Sequence, residues 1–289
     1  MTWETCLRDV LDDFPALRYP KPRPRKVGTG DADLTLVASD FHFPMQDDRA
    51  VDIFLQVCAE AKPSKVVLNG DLPDLLAVSR FPKDMREGWP LADERKAMAD
   101  FLWALHDVLP ADAVITETSA NHSGNGPESR WWRYLSDRIG ELSDLPEVIA
   151  GLDYRRIWHP DFSRVEVVEH DVLTHGLVAI HGDVARGHAA YSARAMLEKW
   201  RVNLIHGHTH RMGYYGYRVP AIGGQHEHQM RAYEGGCMCQ LEAPYMKVTN
   251  WQQGFCIVRH DTEGAFGVEQ VLIHQGKAIS TTMGKVYRA

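Results

Sequence analysis

Short apolar runs alternate with amphipathic stretches along much of the chain. Runs rich in β-branched and aliphatic residues predict β-strands at 34–38, 65–69, 113–118, 177–180 and 203–205. Apolar residues at helical spacing predict helices at 48–61, at 92–108, at 188–200 and from near Glu128 onward. This alternation of strands and helices favours parallel strands joined by crossover helices.

The second half of the chain is richer in strand-like patterns. Two β-rich runs between Arg164 and Asp183 are expected to form a hairpin joined near residues 169–171. A mainly antiparallel sheet is predicted by further runs at 213–220, 236–241, 254–260 and 268–274. We therefore expect an α/β fold in which two facing mixed β-sheets are flanked by helices.

The first 30 residues differ from the rest in composition. Trp3, Leu7 and Val10 have helical spacing, and a basic, proline-rich tract follows at 19–26. We predict an N-terminal helix and linker over residues 1–30, and a single domain with a β-rich C-terminal part over residues 31–289. The tract is interpreted as a stiff surface linker, with an arm that contacts a phosphate backbone as the alternative.

Polar side chains close five of the predicted strands. A lone histidine is usually a satisfied core or surface residue, but five such strand ends in one chain argue for a shared site. In the last of them, alternate side chains of an extended segment would place His208 and His210 on the same face. The five ends read Asp40-Phe41-His42, Gly70-Asp71-Leu72-Pro73-Asp74, Asn121-His122, His181-Gly182-Asp183 and Gly207-His208-Thr209-His210. Imidazole and carboxylate groups without thiolates suit Mn²⁺, Fe or Zn²⁺.

In this order the five strand ends resemble the sequence motifs of the calcineurin-like metallophosphoesterase family, and they span residues 40 to 210. The resemblance implies a four-layer sandwich of two sheets and outer helices. It also implies a centre of two divalent metal ions, with Mn²⁺ favoured over Fe or Zn²⁺, in which Asp71 bridges the two ions. One ion would be bound by Asp40, His42 and His210, and the other by Asn121, His181 and His208.

The resemblance also assigns the chemistry of the site. A hydroxide that bridges the two ions would attack the phosphorus of a phosphate ester, and no covalent enzyme intermediate is needed. His122 would stay off the metals and would stabilise or protonate the leaving oxygen, while Asp74 would orient the His122 ring through a hydrogen bond. A helix N-cap is the alternative role for Asp74. Arg130 is a candidate to clamp phosphate oxygens of the substrate.

The function that these residues predict is hydrolysis of phosphate esters, with a phosphodiester in a nucleotide or nucleic acid as the favoured substrate. The basic tract and the Arg130-Trp131-Trp132 segment fit nucleotide or nucleic acid chemistry without requiring it. A phosphomonoesterase that acts on a protein or small metabolite is the alternative within the same chemistry. A catalytically silent binding scaffold is the alternative from another class, and the complete ligand set argues against it.

Composition and charge limit the class of protein and the partners that the sequence allows. With 44% hydrophobic and 25% charged residues over 289 positions, the chain has the composition of an ordinary globular protein. A formal net charge of −7 argues against a broad basic surface that wraps nucleic acid. The five cysteines form no disulfide framework, and Cys237 and Cys239 are interpreted as buried thiols. Because the chain shows neither a signal-peptide pattern nor a long apolar run, we expect a cytoplasmic protein without membrane contact.

Several residues near the motifs keep open roles. The family usually has a glycine before the Asn-His pair and an acidic residue after it, where this chain has Ala120 and Ser123. How the loop behind His122 is held is therefore not predicted. Asp183 fits equally well as a partner of a metal-bound histidine and as a turn residue. His206 is expected to be a core residue or a partner of a metal ligand.

Overall fold

Two mixed β-sheets form the centre of the protein in the computed structural model, which describes residues 33–79, 89–140, 146–159, 164–174, 176–221, 227–242 and 249–289. The strands are β1 (Asp33–Ala38), β2 (Lys65–Leu68), β3 (Val114–Thr118), β4 (Val165–Val168), β5 (Asp171–Thr174), β6 (Leu177–Ile180), β7 (Asn203–His206), β8 (Met212–Val219), β9 (His228–Gly235), β10 (Gln253–His260), β11 (Phe266–His274), β12 (Lys277–Ser280) and β13 (Lys285–Arg288). One sheet has the order β13-β12-β11-β10-β1-β2-β3-β4, and the other has the order β5-β6-β7-β9-β8. The predicted helix and linker over residues 1–30 lie outside the described residues.

Both sheets combine parallel and antiparallel pairs. In the larger sheet β1 to β4 are parallel neighbours, and β10 to β13 continue the sheet in antiparallel pairs. In the smaller sheet β6, β7 and β9 run parallel, while β5 and β8 are antiparallel at its edges. The prediction of one mainly antiparallel C-terminal sheet is wrong, because β8 and β9 complete the smaller sheet and β10 to β13 extend the larger one.

Helices lie outside the two sheets. Those of the described residues are α1 (Asp48–Ala61), α2 (Leu91–Val108), α3 (Arg130–Ile139), α4 (Pro146–Gly151), α5 (Tyr154–Trp158) and α6 (Tyr191–Trp200), with a 3₁₀ turn at Leu76–Val78. The predicted bounds of α1 are confirmed, because the Asp47 carboxylate accepts from the first N–H groups and Lys62 ends the helix in the left-handed conformation. None of these helices combines the length and the apolarity needed to cross a membrane.

Apolar contacts define four layers. Phe54 of α1 and Met98 of α2 pack against the outer face of the larger sheet. Val37 of the larger sheet and Ile205 of the smaller one are buried between the two sheets. Met196 of α6 covers the outer face of the smaller sheet. The fold is therefore the predicted α/β arrangement of two facing mixed sheets flanked by helices.

The chain crosses from the larger sheet to the smaller one after β4. The predicted hairpin joined near residues 169–171 is wrong, because β4 pairs with β3 and the hairpin is formed by β5 and β6. Asp171, the first residue of β5, explains the difference. Its buried carboxylate contacts Lys65 Nζ and Thr116 Oγ1, which belong to the larger sheet. These bonds tie β5 to the inner face of the other sheet instead of leaving it beside β4.

The predicted strand at 236–241 is a loop. Gly236 has φ +81°, and the next residues form only isolated bridges, between Cys237 and Gln253 and between Cys239 and Gln46. The strand of this region is β9, which ends at Gly235. Cys237 and Cys239 therefore lie in a loop that follows β9 of the smaller sheet. Cys237 in this loop pairs with Gln253, the first residue of β10 in the larger sheet.

Candidate metal centre

The five predicted polar clusters meet at one place in the fold. Each follows the carboxyl end of a strand, namely β1, β2 and β3 of the larger sheet and β6 and β7 of the smaller one. Carboxyl ends of parallel strands lie along one edge of a sheet, and here the edges of both sheets face each other. The structure brings together all seven predicted metal ligands, which are buried or half-buried: Asp40, His42, Asp71, Asn121, His181, His208 and His210.

Many of the predicted ligands have a left-handed backbone conformation, which directs their side chains into the site. Non-glycine residues rarely adopt positive φ, and each such residue costs on the order of 1–3 kcal/mol. β7 ends at His206, so the prediction that the last two histidines project from an extended strand is wrong. The predicted ligands with positive φ are Asp40 (57°), His42 (51°), Asp71 (51°), His208 (68°) and His210 (55°). Such a concentration of strained backbone in one place indicates a functional site.

Two glycines allow the loops to approach each other closely. A Cβ atom on Gly70, which has φ +85°, would lie 2.5 Å from His181 Nδ1. A Cβ atom on Gly207 would lie 2.6 Å from Asp40 Oδ2. Any side chain at either position would displace a predicted ligand, so both positions require glycine.

The three predicted ligands of the first ion lie together, and we call them the first subsite: Asp40, His42 and His210. His210 Nε2 lies 3.1 Å from Asp40 Oδ1 and 3.1 Å from His42 Nε2. The Asp40 carboxylate is also held in place, because His208 N–H donates to its Oδ2 at 3.0 Å. One ligand atom from each of the three residues can therefore reach a single ion.

The three predicted ligands of the second ion also lie together, and we call them the second subsite: Asn121, His181 and His208. Asn121 Oδ1 lies 2.8 Å from His208 Nδ1 and 3.0 Å from His181 Nε2. Asp71 stands between the subsites, with its Oδ2 atom 3.2 Å from His181 Nε2 and 3.8 Å from His42 Nε2. Its other oxygen accepts from His122 N–H at 3.0 Å. This is the position that a bridging carboxylate requires.

The outer contacts of two of these histidines fit metal binding. His42 Nδ1 is 2.9 Å from Asp74 Oδ1, and His181 Nδ1 is 2.8 Å from Asn69 O. If each ring carries its one proton on that outer nitrogen, the Nε2 lone pair points into the cluster, as a metal ligand requires. Burial lowers the pKa of His181, but the facing Asp71 and Asp40 carboxylates raise it to about 9, so a metal ion would have to displace a proton from that ring. Burial raises the pKa of Asp40 and Asp71, but the facing histidines lower the first to about 2 and hold the second well below its usual range. Nitrogen and oxygen donors of this kind suit Mn²⁺, Fe or Zn²⁺.

Asp74 has a different partner from the predicted one. Its Oδ1 atom is 2.9 Å from His42 Nδ1 but 3.5 Å from His122 Nδ1, which is longer than a good hydrogen bond. The predicted Asp74–His122 hydrogen bond is therefore replaced by a bond to His42. The His42 ring meets the His122 ring edge-on, at 4.8 Å between centroids, and takes the nearer position to the carboxylate.

His122 is buried beside the cluster with Arg130 against its ring. Arg130 Nη2 lies 2.9 Å from His122 Nε2, and Arg130 Nη1 donates to Asp74 O at 2.6 Å. Burial lowers the pKa of His122 to about 3, aided by His42 and Arg130 and opposed by Asp71. In this arrangement the ring is neutral, and the guanidinium contacts the chain itself. The predicted contact of Arg130 with substrate stays a prediction.

The loop behind His122 is held by residues that the sequence analysis missed. Tyr154 N–H donates to Asn125 Oδ1 at 2.8 Å, and Tyr154 Oη donates to Glu117 Oε1 at 2.9 Å. His159 Nε2 lies 2.5 Å from the other oxygen of Glu117. Ser123 lies in this loop and is buried. The acid at the end of β3 thus supports this loop, and nothing in the spacing of Glu117 could have indicated it.

The structure gives partners to Asp183 and His206, whose roles the sequence left open. Asp183 is exposed, and its carboxylate accepts from Lys199 Nζ at 2.5 Å, so it does not support His181. The outer nitrogen of His181 faces the Asn69 carbonyl instead. His206 is buried, with Nδ1 2.9 Å from Gly207 O, and burial lowers its pKa to about 4. His206 is therefore a neutral core histidine beneath the loop that carries the last two ligands.

Glu94 supports the backbone that follows Asp74. This buried carboxylate of α2 accepts from Leu75 N–H at 2.7 Å. Burial and the Asp74 charge raise the pKa of Glu94 to about 8, although hydrogen bonds from the backbone of Leu75 and Leu76 oppose the rise. The folded protein therefore keeps a proton that an unfolded glutamate releases near its ordinary value of 4.5.

Replacing Glu94 by glutamine should remove a pH dependence of stability. Between pH 4.5 and 8 the unfolded state binds fewer protons than the folded state, so the free energy of unfolding falls as pH rises. The amide keeps an acceptor for Leu75 N–H and does not titrate. We expect urea unfolding to show that Glu94→Gln gains stability relative to wild type from pH 5 to pH 8, with the exposed Glu198→Gln as the matched control. A constant difference across this range would contradict the raised pKa.

The comparisons with known proteins are distant. No protein-family model matches the chain. The Gene 54 protein of Mycobacterium phage L5 is 25% identical over 238 residues, which cover 78% of this chain and 88% of that protein. The Gene 54 protein of Mycobacterium phage D29 is 26% identical over 245 residues, with the same coverage of both chains. These names describe no activity.

Solved structures with a related arrangement were also found. Vacuolar Protein Sorting 29 from Cryptosporidium parvum matches 89% of this chain and 97% of its own, with 14% identity and a TM-score of 0.45. TT1561 of Thermus thermophilus matches 83% of this chain and 99% of its own, with 12% identity and a TM-score of 0.31. At these scores the argument for function rests on the residues of the site.

Proposed function

We propose that this protein is a dinuclear metal-dependent phosphoesterase of the calcineurin-like metallophosphoesterase family. The favoured substrate is a phosphodiester in a nucleotide or nucleic acid. The observation that carries the proposal is the position of Asp71 between the two groups of predicted nitrogen and oxygen ligands, with His122 beside them. A structural metal site would need neither two adjacent subsites nor an additional buried histidine.

The residues of the chain would hold the ions and the substrate. Two divalent ions, with Mn²⁺ favoured, would supply Lewis acids that orient the water and neutralise charge on the phosphate. Asp74 and Asn69 fix the ring tautomers of His42 and His181. His122 N–H keeps the Asp71 carboxylate in its bridging position. Each of these contacts prepares the site before substrate enters.

His122 and Arg130 would act on the leaving side of the ester. His122 Nε2 is 4.0 Å from Asp71 Oδ2, which places the ring next to both subsites. When a phosphate ester enters, its oxygens would attract the Arg130 guanidinium away from Nε2. The freed Nε2 carries no proton of its own, so the neutral ring would first take up a proton from solvent and would then donate it to the leaving oxygen.

The charges around the site favour a diester over a monoester. A phosphomonoester carries about two negative charges near neutral pH and gains from additional cations. Arg130 is in hydrogen-bond contact with the cluster, whereas Arg211, which follows His210, is directed toward Ser192 and Glu234. Among the residues that the structure describes, Arg130 is the guanidinium in contact with the cluster, and one such cation suits the single negative charge of a diester.

The experiment compares hydrolysis of a chromogenic diester, bis(p-nitrophenyl) phosphate, with that of p-nitrophenyl phosphate in the presence of Mn²⁺. We expect diester turnover to exceed monoester turnover and to disappear when a chelator removes the metal. A monoester preference would contradict the substrate class. Two bound ions without turnover on either ester would contradict the enzymatic role and favour a binding scaffold.

A further inference from the structure

The His210 imidazole of the first subsite has an unusual outer partner. His42 and His181 direct their outer nitrogens toward a carboxylate and a backbone carbonyl. His210 Nδ1 instead faces Cys239 Sγ at 3.8 Å, and within the described residues no oxygen acceptor is recorded for it. Cys239 is 3% exposed, so no bulk water reaches this contact easily.

We infer that Cys239 is a positioning residue for His210, because its sulfur accepts the His210 Nδ1–H and thereby turns Nε2 toward Asp40 and His42. This inference rests on the proposed metal centre. A metal-ligating histidine commonly donates its outer N–H to a carboxylate or carbonyl, and that bond fixes both tautomer and ring orientation. Here a thiol takes the place of the oxygen.

The loop that carries Cys239 is fixed firmly enough to position a ring. Met238 N–H donates to Ser39 O and to Asp40 O, at 3.2 and 3.1 Å. On the other side of Cys239, Gln240 N–H donates to Met45 O at 2.9 Å. Gln253 Nε2 donates to the Cys239 carbonyl at 2.9 Å. The loop that carries Cys239 is thus hydrogen-bonded to the loop that supplies Asp40 of the first subsite.

Two other neighbours complete the environment of this thiol. Cys237 lies beside Cys239, and its Sγ atom lies 3.6 Å from Gln252 O, to which it can donate. The Trp251 ring packs on the His210 ring at 4.2 Å between centroids. The tryptophan limits rotation of His210 from one side while the thiol holds its outer nitrogen. A sulfur acceptor is weak, so removal of the sulfur should affect affinity more than fold.

The test is Mn²⁺ binding by the full chain, measured by calorimetry on wild type and on Cys239→Ala. We expect wild type to bind two ions and the variant to bind one of them roughly 10–100-fold more weakly, as expected when the outer partner of a ligand is lost. The matched control is Cys256→Ala, which removes an equally buried thiol from between the sheets. Equal affinities in wild type and Cys239→Ala would overturn the inference alone, whereas a wild type without two ions would overturn the proposed function.

A spectroscopic measurement on wild type keeps the inference testable if the variant fails to fold. In the Zn²⁺-loaded protein with ¹⁵N-labelled histidine, we expect the His210 proton on Nδ1, identified by its contacts with the Trp251 ring. A proton on Nε2 would overturn the inference. A third measurement is the absorption spectrum of the Co²⁺-loaded protein. A thiolate-to-cobalt charge-transfer band would show that Cys239 is a metal ligand and would overturn the positioning role.

Discussion

Replacing Asp71 by asparagine is expected to empty both metal subsites and to abolish metal-dependent hydrolysis. In the proposed centre Asp71 is the carboxylate that both ions share, and an amide has no negative charge to offset two adjacent cations. The fold should survive the change. Asparagine tolerates the left-handed conformation at this position, and its carbonyl can still accept from His122 N–H.

Metal analysis and turnover would be measured on the same Asp71→Asn sample. We expect wild type to retain two Mn²⁺ ions after gel filtration and the variant to retain fewer than one, with diester turnover at the level of the chelator-treated protein. Asp183→Asn is the matched control, because this nearby aspartate is exposed and pairs with Lys199. Two retained ions in Asp71→Asn would remove the bridging role.

The layers of the fold follow from local patterns, whereas the assignment of strands to sheets does not. The β-α-β order predicts the parallel part of the larger sheet, and the spacing and capping around α1 predict its bounds. The crossing after β4 depends on Asp171, whose partners Lys65 and Thr116 are 106 and 55 residues distant in sequence. A contact of that kind leaves no trace in the local alternation of apolar and polar residues.

The candidate site was predictable in its members but not in its geometry. The resemblance named seven candidate ligands, which the fold brings together, yet it could not indicate that His208 and His210 adopt left-handed conformations beyond the end of β7. It also gave Asp74 the wrong partner, because two histidines compete for one carboxylate and only the packing of their rings decides which is nearer. Tyr154, which supports the loop behind His122, belongs to α5 and follows Asn125 by 29 residues. Its contact with the loop exists only in the folded protein and leaves no local pattern in the sequence.

Replacing His122 by alanine should lower turnover by roughly 10²–10⁴-fold while both ions remain bound. The ions should remain because His122 holds Asp71 through its backbone N–H, which alanine keeps. In the proposed mechanism the ring itself acts only at the leaving oxygen. Metal content and kcat measured on one preparation would separate these roles, and loss of metal together with turnover would contradict the assignment.

The leaving group provides a sharper form of the same test. An alkoxide leaving group, as in a nucleotide diester, needs a proton far more than p-nitrophenolate does, because its conjugate acid is much weaker. The loss in His122→Ala should therefore be larger for the nucleotide diester than for the chromogenic one. The exposed His274→Ala serves as the matched control. Equal losses on both esters would mean that His122 binds the phosphate, since a group that only binds it has no reason to distinguish one leaving oxygen from another.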